Sequence, residues 1–123
     1  RRRKKMSERY CSAQELVVVL YCGALMIQGT GNHTMQAILK AAGELYGGGK
    51  TFCQSRISGV MQRTLEKEDY VIHNVLPRGK LFKHEYIIND VEKHKKKIRK
   101  MLGVKSIRET FSFNLEHVQS LVS

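Results

Sequence analysis

Hydrogen-bonding and basic side chains recur at helical spacing between Thr51 and Lys67. This stretch is predicted to be a helix, because Thr51 and Gln54 form a capping-box pattern and apolar residues follow at helical spacing. The apolar stripe consists of Ile57, Val60, Met61 and Leu65. With that stripe turned inward, the opposite face and its margins carry Gln54, Ser55, Arg56, Ser58, Gly59, Gln62, Arg63 and Glu66.

The residue types on that face match the chemistry of nucleic-acid base edges. Gln can form two hydrogen bonds to adenine, Arg can do the same to guanine, and Ser can bond to either. Gly59 would let the backbone come close to a partner, whereas Glu66 argues mildly against deep insertion of the last turn. An ordinary solvated helix face has a similar composition, so the pattern defines a candidate contact surface.

A β-hairpin is predicted directly after this helix. Two runs rich in β-branched and aromatic residues, Tyr70 to Leu76 and Leu81 to Ile88, flank the turn Pro77-Arg78-Gly79-Lys80. Residues alternate along the first strand, so one side of it is expected to be buried. Cations at the tip would contact phosphates or a minor groove and contribute affinity more than sequence choice. The cations are Arg78, Lys80 and Lys83.

The formal net charge is +11, and the positive residues are concentrated in segments 1–9, 47–67 and 89–105. A surface of this sign favours polyanionic partners, although lysine runs can also serve only to keep a domain soluble. The N-terminal arm is expected to be disordered alone and to lie along phosphates or in a minor groove, or to act as a nuclear import signal. It consists of Arg1, Arg2, Arg3, Lys4 and Lys5, which precede the first methionine, so we expect the sequence to begin inside a longer protein or to carry an added leader.

Three further helices are predicted. Residues from Ala13 to Ile27 are apolar nearly all round and should form a buried scaffold helix, and Met35 to Tyr46 has one apolar side. Asn89 or Asp90 caps a basic helix from Val91 to Leu102 that Gly103 closes. A narrow apolar side of this helix is formed by Val91, Ile98, Met101 and Leu102. The remaining surface of the helix carries Lys93, His94, Lys95, Lys96, Lys97, Arg99 and Lys100. Phosphate contact is predicted for Lys93, Lys96, Lys97 and Lys100.

Length and hydropathy fix the broad class. A chain of 123 residues, 41% of them hydrophobic, is long enough for one domain with a single core. The longest apolar run, Leu16 to Ile27, is too short for a membrane span, and the basic helix lacks the aromatic residues that favour a membrane surface. We therefore expect a soluble intracellular protein, in the nucleus if the source is eukaryotic, or in the cytoplasm or nucleoid if it is prokaryotic or phage.

The sequence predicts no catalytic centre, metal site, cofactor or small-molecule substrate. Cys11, Cys22 and Cys53 are widely spaced and are interpreted as reduced thiols, and the histidines are scattered. Lys50 and Thr51 follow three glycines as at the end of a nucleotide-binding P-loop, but the stretch follows a helix, and the first Gly of that pattern is absent.

The tail is expected to be an addition to a complete domain. We divide the chain into a basic arm at 1–11, a domain at 12–105 and an apolar extension at 106–123. Alternation from Ile107 to Leu115 predicts a strand, followed by a helix from Asn114. This extension would mediate homodimer formation, dock on a protein partner or pack on the chain's own core.

The order of elements, including the passage from Arg56-Ile57-Ser58 to Tyr70-Val71-Ile72, resembles the winged-helix superfamily of helix-turn-helix proteins. The resemblance covers about Ser12 to Leu102 and implies a mostly α winged-helix fold: a three-helix core, a small antiparallel hairpin as the wing and a basic fourth helix. The C-terminal extension at 106–123 lies beyond it. The resemblance also implies that helix 51–67 enters the major groove of double-stranded DNA while the wing grips the adjacent backbone. The contacts so implied are Lys50, Thr51, Gln54, Ser55, Arg56, Ser58, Gln62 and Arg63, with Arg78, Lys80 and Lys83.

Two functions from different classes remain open. The first is a non-enzymatic DNA-binding domain, either a transcription regulator or an architectural chromatin-type protein. The second is a winged-helix subunit that makes protein or RNA contacts in a larger assembly, which the apolar tail favours. The hypothesis of an enzyme has the least support, because the sequence shows no nucleophile with an evident base.

Overall fold

The computed structural model describes residues 13–46, 54–110 and 114–123, and within these ranges the side chains of residues 46, 54, 55 and 108–110 are not described. The described chain is mostly helical with one two-stranded antiparallel hairpin, which confirms the prediction of a mostly α chain with a small hairpin. The first helices are α1 (Ala13–Met26), α2 (Met35–Gly43, then a 3₁₀ turn Glu44–Tyr46) and α3 (Gln54–Val60, then a π-helical segment Met61–Glu66). The remaining elements are β1 (Val71–Arg78), β2 (Leu81–Ile88), α4 (Val91–Leu102), α5 (Lys105–Thr110) and α6 (Leu115–Val122).

Helix α1 is the centre of the core. Almost every side chain from Glu15 to Leu25 is buried, and the helix contacts α2, α3, α4, α6 and β2. Gly23 marks the closest crossing, since a Cβ there would lie 2.5 Å from the carbonyl oxygen of Ile38 in α2. The prediction of a helix buried on several sides is confirmed.

Side-chain caps begin three of the helices. Thr34, Asp90 and Asn114 accept hydrogen bonds from the backbone N–H groups of Ala37, Lys93 and His117, respectively. Each bond satisfies a donor that has no partner within its own helix. The predicted start of α4 and its end at Gly103 are both confirmed.

The last turns of α3 are wider than an α-helix. The N–H groups of Lys67 and Tyr70 bond the carbonyls of Gln62 and Leu65, five residues back. Because a π-helical turn contains more residues, side chains along it lag behind their α-helical positions. Glu66 was expected on the exposed face, but it is half-buried against the hairpin.

The hairpin turn is tighter than the sequence indicates. Arg78 pairs with Leu81, so the loop is only Gly79-Lys80, and Gly79 takes the left-handed conformation with φ 62°. Pro77 belongs to β1, opposite Phe82. Burial on the hairpin is confined to its base, where Val71, Tyr86 and Ile88 join the core.

Two expectations for the C-terminal third are wrong. His94 was placed on the solvated surface of α4, but it is fully buried, because the helical spacing from Val91 to Ile98 carries it inward. Residues 105–110 form helix α5 and not a strand, and residues 111–113 of the predicted strand lie outside the described ranges. The helix after Asn114 is confirmed, and its Val118 and Val122 are buried in the core of the chain itself.

Within the described ranges, no helix combines the length and the apolar character needed to cross a bilayer.

Candidate nucleic-acid interface

The stripe and the open face of α3 lie as the sequence indicates. Ile57, Val60, Met61 and Leu65 are buried, while the candidate contact residues Arg56, Ser58, Gln62 and Arg63 are exposed. Gln54 and Ser55 lie in the helix, but their side chains are not described. Lys50, Thr51 and the arm of Arg1, Arg2, Arg3, Lys4 and Lys5 lie outside the described residues.

Gly59 shapes the middle of this face through Arg63. A Cβ at position 59 would lie 2.9 Å from one guanidinium nitrogen of Arg63, so the guanidinium lies back over the glycine one turn earlier. The Arg63 side chain is exposed, and a guanidinium can form two parallel hydrogen bonds to a base edge or a phosphate.

A chain of side-chain hydrogen bonds ties the end of α3 to the hairpin. Nδ1 of His73 lies 2.6 Å from the Glu66 carboxylate, and Nε2 of His73 lies 2.8 Å from Nδ1 of His84. The His73 ring also stacks on Tyr86, with centroids 4.5 Å apart. The hairpin is therefore attached to the end of α3 by one direct side-chain bond, between Glu66 and His73.

The chemistry of this chain follows from its donors and acceptors. An ionised carboxylate only accepts, so Nδ1 of His73 carries a proton directed at Glu66. In neutral His73 the other nitrogen accepts, so His84 donates from Nδ1. A carboxylate–imidazole pair can orient a general base, but no Ser or Cys nucleophile lies in this chain of bonds, and we assign it a positioning role.

The start of α4 meets the same junction from the other side. Lys93 donates from Nζ to the carbonyl of Glu68 at 3.1 Å and lies 4.7 Å from the centroid of the Tyr70 ring. Lys97 lies 5.9 Å from the same ring. These two predicted contact residues are brought together around Tyr70, so that their charge is held beside the end of α3.

The other predicted cations of α4 and the tip are not joined to α3. Lys96 and Lys100 are exposed, as are Arg78 and Lys80. Lys83 is half-buried and lies 3.6 Å from the carboxylate of Glu85. Among the described side chains, no hydrogen bond or ion pair connects those of the hairpin tip to those of Arg56, Ser58, Gln62 or Arg63.

The structure adds residues that the sequence did not point to: Glu66, Tyr70, His73 and His84. His73 pairs with Tyr86, so His84 is its diagonal neighbour on the same hairpin face. The correct two-residue turn would therefore have predicted the histidine contact. Glu66 and His73 lie in different elements, and no local spacing announces their bond.

Metal and thiol chemistry have little support in the part of the chain that the structure describes. No cluster there contains three ligands suited to a metal ion. Burial raises the pKa of the Cys22 thiol to about 12, so this cysteine is an unreactive core residue. Cys11 and Cys53 lie outside the described ranges.

No family model matches the chain, and neither a curated protein nor a solved structure matches it.

Proposed function

We propose that this chain is a non-enzymatic, winged-helix-type domain that binds double-stranded DNA. Helix α3 would enter the major groove, the hairpin would act as the wing, and α4 would lie along the phosphate backbone. The observation that carries the proposal is the Glu66–His73 bond of 2.6 Å, which attaches a basic-tipped hairpin directly to a helix with an exposed polar face.

A second bond supports the same arrangement. The backbone N–H of Tyr86 donates to the carbonyl of His33 at 2.8 Å, so the outer edge of β2 is held by the segment that precedes α2. The hairpin is thus attached to both α2 and α3, the two helices that would form a helix-turn-helix unit. A DNA-binding surface whose elements are already held together loses little conformational entropy on binding.

The distribution of charge favours strong phosphate contact. Lys96 and Lys100 extend an exposed basic surface along α4, and Lys93 and Lys97 continue it to the end of α3. Cations on a helix surface neutralise phosphates without regard to sequence. Sequence preference would then come from Gln62 and Arg63 and would be smaller than the total affinity.

The test is a titration of fluorescently labelled duplexes of unrelated sequence at two salt concentrations. Replacing both Lys96 and Lys100 by Ala should weaken binding to all duplexes and lower the salt slope by about 2, since two phosphate contacts are lost. Arg63→Ala should reduce the ratio of affinities between the preferred duplex and the other duplexes by roughly tenfold, because one bidentate base contact is worth about 1–3 kcal/mol.

Lys40→Ala is the matched control, because Lys40 is an exposed cation on α2, outside the proposed interface. It should change neither the affinity nor the salt slope. Binding that is tight but insensitive to salt, or an equal loss with Lys40→Ala, would contradict the proposal.

A further inference from the structure

The distal half of the hairpin exposes large apolar side chains. Leu81 and Phe82 are 74% and 66% exposed, and Val75 and Leu76 are 49% and 44% exposed. Such residues add little to folding when they stay in water, and a group of them on a surface marks an interaction site. Val75 and Phe82 lie on one face of the hairpin and Leu76 and Leu81 on the other, so apolar side chains flank the basic turn on both faces.

Phe82 also lines a cleft between β2 and the start of α2. The cleft has a volume of about 590 Å³, within the range of roughly 300–1,000 Å³ that is usual for ligand sites. On the hairpin side it is lined by Arg78, Leu81, Phe82, Lys83 and His84. Thr34, Met35 and Gln36 form the opposite wall.

Main-chain groups of β2 point into this cleft. Tyr86 donates its N–H away from β1, to His33, so the Tyr86–His73 pair does not exchange main-chain hydrogen bonds. Such pairs alternate along an antiparallel ladder, so the N–H and C=O groups of His84 and Phe82 also point away from β1. Pro77, opposite Phe82, is compatible with this register because it has no N–H to donate.

We propose that this cleft binds one unpaired nucleotide of a nucleic acid. The base stacks on the Phe82 ring, and its polar edge meets the main-chain groups of Phe82 and His84. The nucleotide crosses the edge of β2, so that its phosphate lies at Arg78 and Lys83, whose side chains belong to the other face of the hairpin. The inference rests on the proposed function and deepens it: the domain prefers duplexes that carry an unpaired strand over uninterrupted ones.

Charge favours a nucleotide over a peptide strand at this edge. The tip has three cations, Arg78, Lys80 and Lys83, and the carboxylate of Glu85, 3.6 Å from Lys83, offsets only one of them. A neutral peptide would leave this positive charge uncompensated, whereas the phosphate of a nucleotide supplies the opposite charge beside a base with a flat face.

The site is open before a ligand arrives, because the hairpin is fixed at its base. The Tyr86–His33 bond sets the distance between β2 and the segment before α2, and the Glu66–His73 bond holds β1. Binding therefore needs no rearrangement of the backbone, and most of the stacking energy is available to discriminate between substrates.

The experiment compares three labelled DNA molecules by fluorescence anisotropy. The first is a blunt duplex, and the second is a duplex with a single-stranded branch of three nucleotides. The third has a single-stranded branch of the same length in which the sugars and phosphates are kept and the bases are absent. The wild-type protein should bind the branch with bases about tenfold more tightly than the abasic branch, which has the same phosphates. Phe82→Ala should remove this ratio and leave the affinity for the blunt duplex unchanged, whereas Phe82→Trp should keep the ratio.

Ile72→Ala is the matched control. Ile72 is a hairpin residue that is 47% exposed, but it pairs with Ile87 on the opposite face, near the base. The variant should keep the preference for the branch. Thermal unfolding of each variant verifies that it is folded, and little change is expected at so exposed a position as Phe82.

The outcomes separate the two proposals. Equal affinity for the two branches, with the blunt duplex still bound, overturns the nucleotide cleft and leaves the proposed function standing. A lack of binding to all three molecules at low salt overturns both.

Discussion

Helix α1 and the distal half of the hairpin are both apolar, yet their surroundings are opposite. In α1, Leu16, Val18, Val19 and Leu20 are each at most 1% exposed, whereas Leu81 and Phe82 of the hairpin are 74% and 66% exposed. Burial of apolar area stabilises a fold by about 25 cal/mol per Å². The apolar residues of α1 therefore contribute stability, whereas those of the hairpin tip contribute little.

The largest expected effect is a loss of stability in the core around α1. In Gly23→Ala the new Cβ would lie 2.5 Å from the Ile38 carbonyl oxygen and 3.0 Å from its Cγ2, so α1 and α2 must move apart. We expect a loss of about 3 kcal/mol in the free energy of unfolding, measured by urea denaturation. Gly43→Ala is the control, since nothing lies within 4 Å of a Cβ there. It should be neutral or stabilise α2, and an equal loss in both variants would refute the account of a close helix crossing.

The second prediction concerns pH and the core beneath α4. His94 is fully buried and donates from Nε2 to the carbonyl of Tyr21 at 2.8 Å. Burial lowers the pKa of His94 below its usual 6.5, and its backbone hydrogen bonding offsets only part of this. Below about pH 6.5, His94 is protonated in the unfolded chain but stays neutral in the folded protein. The free energy of unfolding therefore falls as the pH falls toward the lowered pKa of His94.

The slope from this one group is at most about 1.4 kcal/mol per pH unit. Unfolding measured between pH 7.5 and 5 should depend on pH less steeply in His94→Gln than in the wild type. His117→Gln is the control, because His117 lies outside the buried core and should leave the slope unchanged. A wild-type slope retained in His94→Gln would show that other groups cause it.

The smallest effect tests the base of the hairpin. Glu66→Gln replaces an ionised acceptor at His73 by a neutral one, and both side chains are about one-fifth exposed, 22% and 21%. We expect a loss of about 1 kcal/mol in stability, below the value for a fully buried charged bond. Glu85→Gln, which alters only the pair with Lys83 at 3.6 Å, should change stability by less than about 0.5 kcal/mol. Equal effects would mean that Glu66 does not anchor the hairpin.

Local signals predicted the parts of this fold that depend on neighbouring residues. The bounds of α4 follow from the Asp90 cap and Gly103, and the buried stripe of α3 follows from its spacing. His94 was missed because lysines surround it, although it lies three residues after Val91 and four before Ile98, the spacing of one helix face. The composition of the neighbours outweighed the periodicity.

The remaining features depend on contacts between distant elements. Alternation from Ile107 onward predicted a strand, but one apolar residue per turn is enough for the short helix α5, where Ile107 is buried. The Glu66–His73 bond requires the π-helical segment, which no residue pattern announced. The hairpin tip is exposed because it extends beyond the residues that pack in the core, and the extent of the core depends on contacts between distant elements.

The π-helical segment Met61–Glu66 has one more consequence. Arg63 keeps the exposed position that α-helical spacing predicts, and the extra residue in the wide turn lets Glu66 reach the hairpin three positions later. Removing one residue from this segment would rotate everything downstream by about 100°. The direction in which the hairpin faces is thus encoded in the number of residues that precede it and not only in their identity.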